Sequence, residues 1–350
     1  MFIRQLEYLV TLAREKHFAR AAEACHVSQP ALSSAIRTLE AELGLVIVER
    51  TRRFVGFTED GERVLGWARQ TLASLQNMRH DASAAQVKLI GTLRIGAIPT
   101  VMPVTTRMLA PCMREHPNMH YEVRSLSSDA ILRQLDEHEL DVGLTYLDEK
   151  VQAGFSVLPL YFERYLLLSP PSAGDGFDAG TVQSLRVAFP AACGVGRLET
   201  GCLEKRRSYP AACCGELDWS SAGGLPLGLL TATMQNRQVI NAAFRREGVL
   251  PTVVLETDSL LSLYAHVQHA GLFSVFPHSL LSVLPAGSGV RASLLLPELT
   301  RGIGLIARNR NTLPPLVAAI WKAAEQLDLQ REFDALLPDA ARASQGPVTV

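Results

Sequence analysis

Val27-Ser28-Gln29-Pro30-Ala31-Leu32-Ser33-Ser34-Ala35-Ile36-Arg37-Thr38-Leu39-Glu40-Ala41-Glu42-Leu43-Gly44 decides the fold of the N-terminal quarter. Ser28 offers an N-cap hydroxyl, and Pro30 falls in the first turn, where its missing N–H costs nothing. Leu32, Ile36, Leu39 and Leu43 recur at helical spacing, and Gly44 stops the pattern. The other face carries Gln29, Ser33, Ser34 and Arg37, and no acidic residue lies between Glu23 and Glu40. Amides and hydroxyls match base edges, a guanidinium matches guanine or phosphate, and no carboxylate repels the polyanion.

The neighbouring residues extend this reading. Apolar positions 2, 6, 9, 10 and 13 predict a first helix, and Phe18 to Cys25 an Ala-rich second one, closed by a turn at His26-Val27. After the Ser-Gln-Pro helix, Leu45 to Val48 and Phe54 to Phe57 read as two short strands. Between them lie Arg50, Arg52 and Arg53, placed to reach phosphates or a minor groove. Taken singly, each helix is better read as part of a small bundle whose polar face is merely solvated. Phe18-Ala19-Arg20-Ala21-Ala22, Val27 to Ser33, Ile36-Arg37, Leu39-Glu40, Leu43-Gly44 and Phe57-Thr58-Glu59-Asp60-Gly61 together resemble the winged helix-turn-helix signature of LysR-type transcriptional regulators, over residues 1–65.

Bulk composition alone points elsewhere. The 350 residues carry 34 Lys+Arg against 35 Asp+Glu, so any nucleic-acid site must arise from local sorting of charge. Residues 1–90 hold 12 basic and 10 acidic side chains, but 24–39 contain one Arg and no acid, and 50–58 three Arg and no acid. A hydrophobic content of 47% excludes global disorder. Neither a secretory leader nor a membrane-spanning run is legible, so the expected location is cytoplasmic, without a membrane partner.

Residues 59 to 87 form one long helical pattern. Leu65, Ala68, Leu72, Leu75, Arg79 and Ala82 alternate by three and four, a heptad seam spoiled at Arg79. The alternatives are a helix packed on its own domain and a dimerising linker, and the resemblance implies the latter. From Gly91 the pattern becomes strand and helix in turn: strands at 91–98, 120–126 and 141–146, then 227–230, 253–258 and 271–277. This predicts an α/β domain built on an open parallel sheet, with ligands at strand C-termini. Thr100, Ser127, Ser128 and Thr145 stand at three such ends, suiting a small anion or carboxylate, although each can equally be an N-cap.

The resemblance implies a two-lobed effector domain similar to periplasmic binding proteins. Its cleft would be faced by Thr100, Ser127, Ser128 and Thr145 on one side and Thr231, Gln235 and Asp258 on the other. Ile98, Met102 and Phe276 would form an apolar wall. The expected organisation is a winged helix-turn-helix at 1–58, a linker helix at 59–90, the effector domain at 91–310, and a C-terminal helix and tail at 311–350. Lobe one would take 91–162 and 277–310, lobe two 165–270.

Residues 171–224 fit poorly. They hold nine Gly, eight Ala and four of the six Cys with little periodicity, which predicts poor order and no functional residues. Cys193, Cys202, Cys213 and Cys214 lack the spacing of a zinc knuckle, and Cys25 and Cys112 read as small buried side chains. His266 and His269 have no third ligand in register. No nucleophile elbow, phosphate loop or dinucleotide fingerprint occurs, so the expectation is a non-enzymatic chain without cofactor or metal. DNA-binding residues are expected at Ser28, Gln29, Pro30, Ser33, Ser34, Arg37, Arg50, Arg52 and Arg53. The partners are double-stranded promoter DNA, a small effector, further copies of the chain in a dimer or tetramer and, from the resemblance, RNA polymerase. The rival is a small-molecule binding protein whose N-terminal bundle makes only protein contacts.

Overall fold

The computed structural model describes residues 1–50, 54–84, 89–171, 212–285, 287–309 and 312–337. The head contains α1 (Ile3–Glu15), α2 (Phe18–Ala24) and α3 (Gln29–Leu43), then β1 (Val48–Arg50) paired antiparallel with β2 (Phe54–Phe57). The Ser28 hydroxyl accepts from the Ala31 N–H at 3.3 Å, and Gly44 closes α3 in the left-handed conformation (φ 68°). Leu6, Leu9, Leu12, Leu32, Ile36 and Leu39 meet in the core with Ile47 and Val48. Each such buried aliphatic contributes about 1.5–3 kcal/mol.

Helix α4 (Glu59–Ala84) leaves the head. Its root is locked to the strand before it: the Thr58 hydroxyl donates to Val46 O at 2.6 Å and accepts from the Gly61 N–H at 2.9 Å. Gly61 is required there, because a Cβ would sit 2.1 Å from Ile47 O. Leu65 and Ala68, the first residues of the heptad pattern, are buried in the head core, and Leu72 packs against it. The start of the pattern thus packs on its own domain. The side chains of Arg79 and Ala82 lie outside the described residues. Trp67 and Met78, eleven residues and three turns apart, are exposed on another face.

The larger domain begins with β3 (Gly91–Ala97), a 3₁₀ turn (Pro99–Val104), α5 (Thr105–Glu115), β4 (Met119–Ser125), α6 (Ser128–Asp136), β5 (Val142–Tyr146) and α7 (Glu149–Gly154). The long β6 (Phe155–Ser169) follows. Then come β7 (Ala212–Asp218), α8 (Trp219–Gly223), β8 (Leu227–Leu230), α9 (Gln235–Arg246), β9 (Val253–Thr257), α10 (Leu260–His269) and β10 (Ser274–Pro277). A 3₁₀ turn (His278–Val283), β11 (Arg291–Leu296), β12 (Thr300–Arg308), α11 (Pro315–Glu325) and α12 (Leu329–Asp334) complete the described chain.

The sheet is mixed, not purely parallel as the sequence suggested. Strands β3, β4 and β5 are parallel, but β12 runs antiparallel to both β5 and β6. Strand β6 belongs to two halves: residues 155–164 pair with β12, and 165–169 pair with β10 and β11. Beyond the crossing its side chains alternate faces, Leu166 and Leu168 entering one core and Tyr165 and Leu167 the other.

Three placements differ from expectation. Strand β11 pairs with β7 and the far half of β6, so 291–296 sit with the second lobe rather than with lobe one. Residues 212–223 form β7 and α8 within the stretch expected to lack order, with Trp219 buried against Phe244. Helices α11 and α12 join the core of lobe one through Leu316, Ile320, Leu329 and Phe333. Among the described residues, no helix is long and apolar enough to cross a membrane.

Candidate DNA-reading face and inter-lobe site

Burying Leu32, Ile36 and Leu39 turns the opposite face of α3 outward. Ser28, Gln29, Pro30, Ser34 and Arg37 are exposed, and Ser33 is half-buried. Ser28 holds the helix start, leaving Gln29, Ser33, Ser34 and Arg37 to contact a ligand. The Arg37 Nε donates only a long bond, 3.4 Å, to Ser33 O, so its guanidinium stays available. Glu40, the next acid along the chain, is turned inward, where its Oε1 accepts the N–H groups of Ile47 and Val48 at 3.0 Å each. One carboxylate therefore anchors the strand instead of repelling a polyanion. Arg50 ends β1, its side chain outside the described residues, as are Arg52 and Arg53 entirely.

The expected effector residues separate into groups. The Thr145 hydroxyl donates to Ser128 Oγ at 2.9 Å, joining the ends of β5 and α6. Ser127 caps α6, accepting from the Ala130 N–H at 3.3 Å. Thr231 Oγ1 lies 3.4 Å from Thr233 Oγ1, Gln235 is half-buried at the start of α9, and Asp258 is exposed. Ile98 and Phe276 are buried in the cores of different lobes, with Met102 packed beside the former, so they do not form one cleft wall.

Thr100 leads to residues that the sequence reading missed. It is 1% exposed, and its hydroxyl joins a buried polar cluster at the lobe crossing with Tyr146, Glu163, Tyr165 and Asn236. Glu163 stands on β6 with no exposed surface, and its Oε2 accepts from the Tyr165 hydroxyl at 3.4 Å. Burial pushes its pKa up to about 8; Tyr165, Tyr146, Arg301 and Thr100 oppose the rise without cancelling it. The Tyr146 hydroxyl is driven upward by burial and then by Glu163. These buried groups face one another, Thr100, Asn236 and Tyr165 interacting with Tyr146, and Tyr146 and Thr100 with Glu163. A lone acid inside the apolar run Leu158 to Ser169 was the available signal.

The opposite face of β6 carries a different network. Arg164 pairs with Glu298 and, at 3.5 Å, with Asp334 of α12. Gln330 Oε1 accepts the Phe162 N–H at 2.7 Å, and the Gln330 amide donates to Asp334 at 2.9 Å. Helix α12 thus grips β6, while His278, 3.6 Å from Asp334, opens the 3₁₀ turn after β10. Farther off, Arg69 of α4 bridges Glu137 (3.5 Å) and Glu139 (3.3 Å), tying the linker helix to lobe one. Cys112 is buried, with its thiol pushed up to about 11 by burial and then by Glu115, which disfavours the nucleophilic thiolate.

This architecture matches known families. Residues 3–62 match the bacterial regulatory helix-turn-helix protein, lysR family, and 88–186 with 205–328 match the LysR substrate binding domain. The DNA-binding transcriptional dual regulator OxyR of Escherichia coli K12 is 40% identical over 168 residues, 48% of this chain and 55% of that protein. A probable hydrogen peroxide-inducible genes activator of Streptomyces viridosporus is 35% identical over 179 residues, 51% of this chain and 57% of that protein. The chain thus spans about half the length of the curated relatives it matches.

Among solved structures, a full-length OxyR cysteine-to-aspartate variant from Pseudomonas aeruginosa superposes with a TM-score of 0.66 at 25% identity, covering 95% of this chain and 97% of that one. CbnR complexed with its target DNA shares the fold, with a TM-score of 0.57 at 18% identity over 93% of this chain and 99% of that one. With both domain models matched in order over most of its length, the chain belongs to the LysR family of bacterial helix-turn-helix regulators.

Proposed function

We propose that the chain is a sequence-specific transcription regulator that reads promoter DNA with α3 and binds a small effector between its two lobes. The observation that carries this reading is the exposed, carboxylate-free face of Gln29, Ser33, Ser34 and Arg37, held rigid by a buried stripe on the same helix. Arg50, Arg52 and Arg53 hold the backbone or minor groove. Further copies, in a dimer or tetramer joined through α4, supply the other half-site reader, and RNA polymerase is a further partner. The chain works in the cytoplasm and performs no catalysis. Effector binding acts only if its affinity differs between two lobe arrangements.

Gel shift with the gene's own upstream DNA over a salt series tests this. Specific retardation with a steep loss of affinity in rising salt is expected. Retardation equal to that of random DNA would favour the rival, a binding protein with a protein-contact bundle.

A second reading concerns the signal. Relatives named hydrogen peroxide-inducible genes activators match about half the chain, and Cys193, Cys202, Cys213 and Cys214 crowd 22 residues. Cys193 and Cys202 fall in the stretch 187–204 that the domain model skips. Peroxide would oxidise one thiol to a sulfenic acid, releasing water, and a second thiol would displace a further water to form a disulfide. Thiol counting before and after peroxide, together with the gel shift, decides it. Two thiols lost with altered DNA binding supports the reading; unchanged thiols exclude it.

A further inference from the structure

The turn between α5 and β4 gathers sulfur and nitrogen donors around one hollow. It measures about 280 Å³ and is lined by Met113, His116, Pro117, Met119, His120 and Tyr121. Local structure explains why these residues meet. Met113 and His116 are three apart at the end of α5, where the His116 N–H donates to Cys112 O at 2.8 Å, so their side chains share one face. Pro117 then sets the second position of a tight turn, closed by the Met119 N–H donating to His116 O at 3.1 Å. The chain is thereby folded back, and the thioether of Met119 returns to the hollow that Met113 and His116 line. Met119 is buried, and the hydroxyl of Tyr121, on the same side of the strand, donates to its Sδ at 3.6 Å. Met113 is exposed, so the hollow has one sheltered sulfur and one accessible one. The His116 ring has Nε2 3.9 Å from the Glu115 carboxylate, which does not line the hollow, and Nδ1 is left as the ligating nitrogen.

The donors select the ion. None of the lining residues is Cys, Asp or Glu. Among the described residues no three His, Cys, Asp or Glu side chains gather to hold a metal ion, so a cation bound here takes methionine sulfur. Calcium and magnesium require oxygen ligands, and zinc is held by thiolate, imidazole and carboxylate. Two neutral thioethers and a neutral imidazole match a soft ion whose single charge needs no carboxylate beside it. Spacing rules for Cys and His pass over such a set, because methionine is not among their donors.

We propose that Met113, His116 and Met119 form a three-donor site for a soft monovalent cation of the copper(I) class. Strand β4 ends its sheet, with β3, β5 and β12 between it and β6, so the ion sits apart from the lobe crossing and independently of any effector there.

Silver(I), diamagnetic and with the same donor preference, is the probe. The full-length protein, labelled with carbon-13 at its methionine methyl groups, has its accessible thiols alkylated first so that thiolates do not compete. It is then titrated with silver nitrate in chloride-free buffer and followed by NMR. The Met113 and Met119 methyl signals should shift together and saturate at one equivalent. Met78, an exposed thioether on α4, stands for a lone methionine and should stay in place. Zinc(II) at the same concentration should move neither signal. Met113→Leu and Met119→Leu, which nearly keep side-chain volume, should each delete one signal and weaken the response of the other. His116→Gln should weaken both by about tenfold or more. Methyl dispersion before titration shows that each variant is folded, and the partly exposed Met113 and His116 make their variants safe to read if Met119→Leu is not. A shift of one methyl without the other, a Met78 response as strong as theirs, an equal response to zinc, no shift, or a response unmoved by His116→Gln would overturn the proposal.

Discussion

The backbone N–H of Arg164 donates to Nδ1 of His278 at 3.1 Å, joining β6 to the 3₁₀ turn that follows β10. This bond fixes the tautomer: Nδ1 must accept, so the ring proton sits on Nε2, 3.6 Å from Asp334 Oδ1. A second proton would set two N–H groups against each other. Burial lowers the His278 pKa, and the neighbouring Asp334 only partly restores it.

The unfolded chain therefore takes up this proton near pH 6.5, and the folded chain resists it. Stability tied to His278 is complete above that pH and declines as pH falls through it, by at most about 1.4 kcal/mol per pH unit. Urea unfolding between pH 7.5 and 5 should show His278→Asn, which keeps an acceptor, losing less stability than wild type. Parallel curves would refute the fixed tautomer.

Glu163 has the opposite sign. Its folded pKa of about 8 lies above the ordinary 4.5, so the folded state holds the extra proton. The stability it contributes is complete below pH 4.5 and is lost as pH rises towards 8. Glu163→Gln should thus gain stability relative to wild type progressively from pH 5 to 8, measured by the same unfolding series. A constant difference would mean that Glu163 does not titrate in that window.

Gly61→Ala should destabilise the head by about 1–3 kcal/mol, since the added Cβ meets the Ile47 carbonyl oxygen at 2.1 Å and backbone must shift. A drop in the head's melting temperature, followed by circular dichroism, checks this. An unchanged melt would show that α4 and the strand separate at no cost.

Arg37→Ala should weaken binding to the specific operator by about 1–3 kcal/mol and relax preference at one base position, if Arg37 reads a base. Arg52→Ala should weaken all sequences alike and flatten the salt slope by about one. Fluorescence anisotropy with specific and scrambled duplexes at several salt concentrations separates the two behaviours. Identical profiles for both variants would dismiss the division between reading helix and backbone-holding loop.

Trp67 is 69% exposed and Met78 61% exposed, three turns apart on one face of α4. Trp67→Asp should shift the protein towards monomer in sedimentation velocity and reduce operator affinity. Retention of the wild-type assembly would place the interface elsewhere.

The head was legible because its information is local. Ser28, Pro30, Leu32, Ile36 and Gly44 each report a cap, a turn or a stripe within one helix. The strand-helix alternation of 91–146 was legible for the same reason. What escaped is non-local. Strand β6, with Pro159 inside an apolar run, shows neither strand nor helix periodicity, and β11 and β12 pair with partners more than a hundred residues away. Without β6 on the page, Glu163 could not be placed between the lobes. Tyr146 and Asn236 become neighbours only when β5 and α9 meet there. Ser127 shows the converse limit: a strand-end hydroxyl that reads as a ligand contact also accepts a helix-capping N–H.

Residues 161 to 165 of β6 alternate strictly, with Tyr161, Glu163 and Tyr165 on one side and Phe162 and Arg164 on the other. A slip of one residue along β12 would put the Arg164 guanidinium among the tyrosines and Glu163 against Glu298 and Asp334, reversing the charge on both sides at once. The register of the strand joining the lobes is therefore fixed against sliding. Deleting or inserting a single residue at 161–165 is a harsher lesion than any substitution there, because it exchanges the two faces of the strand.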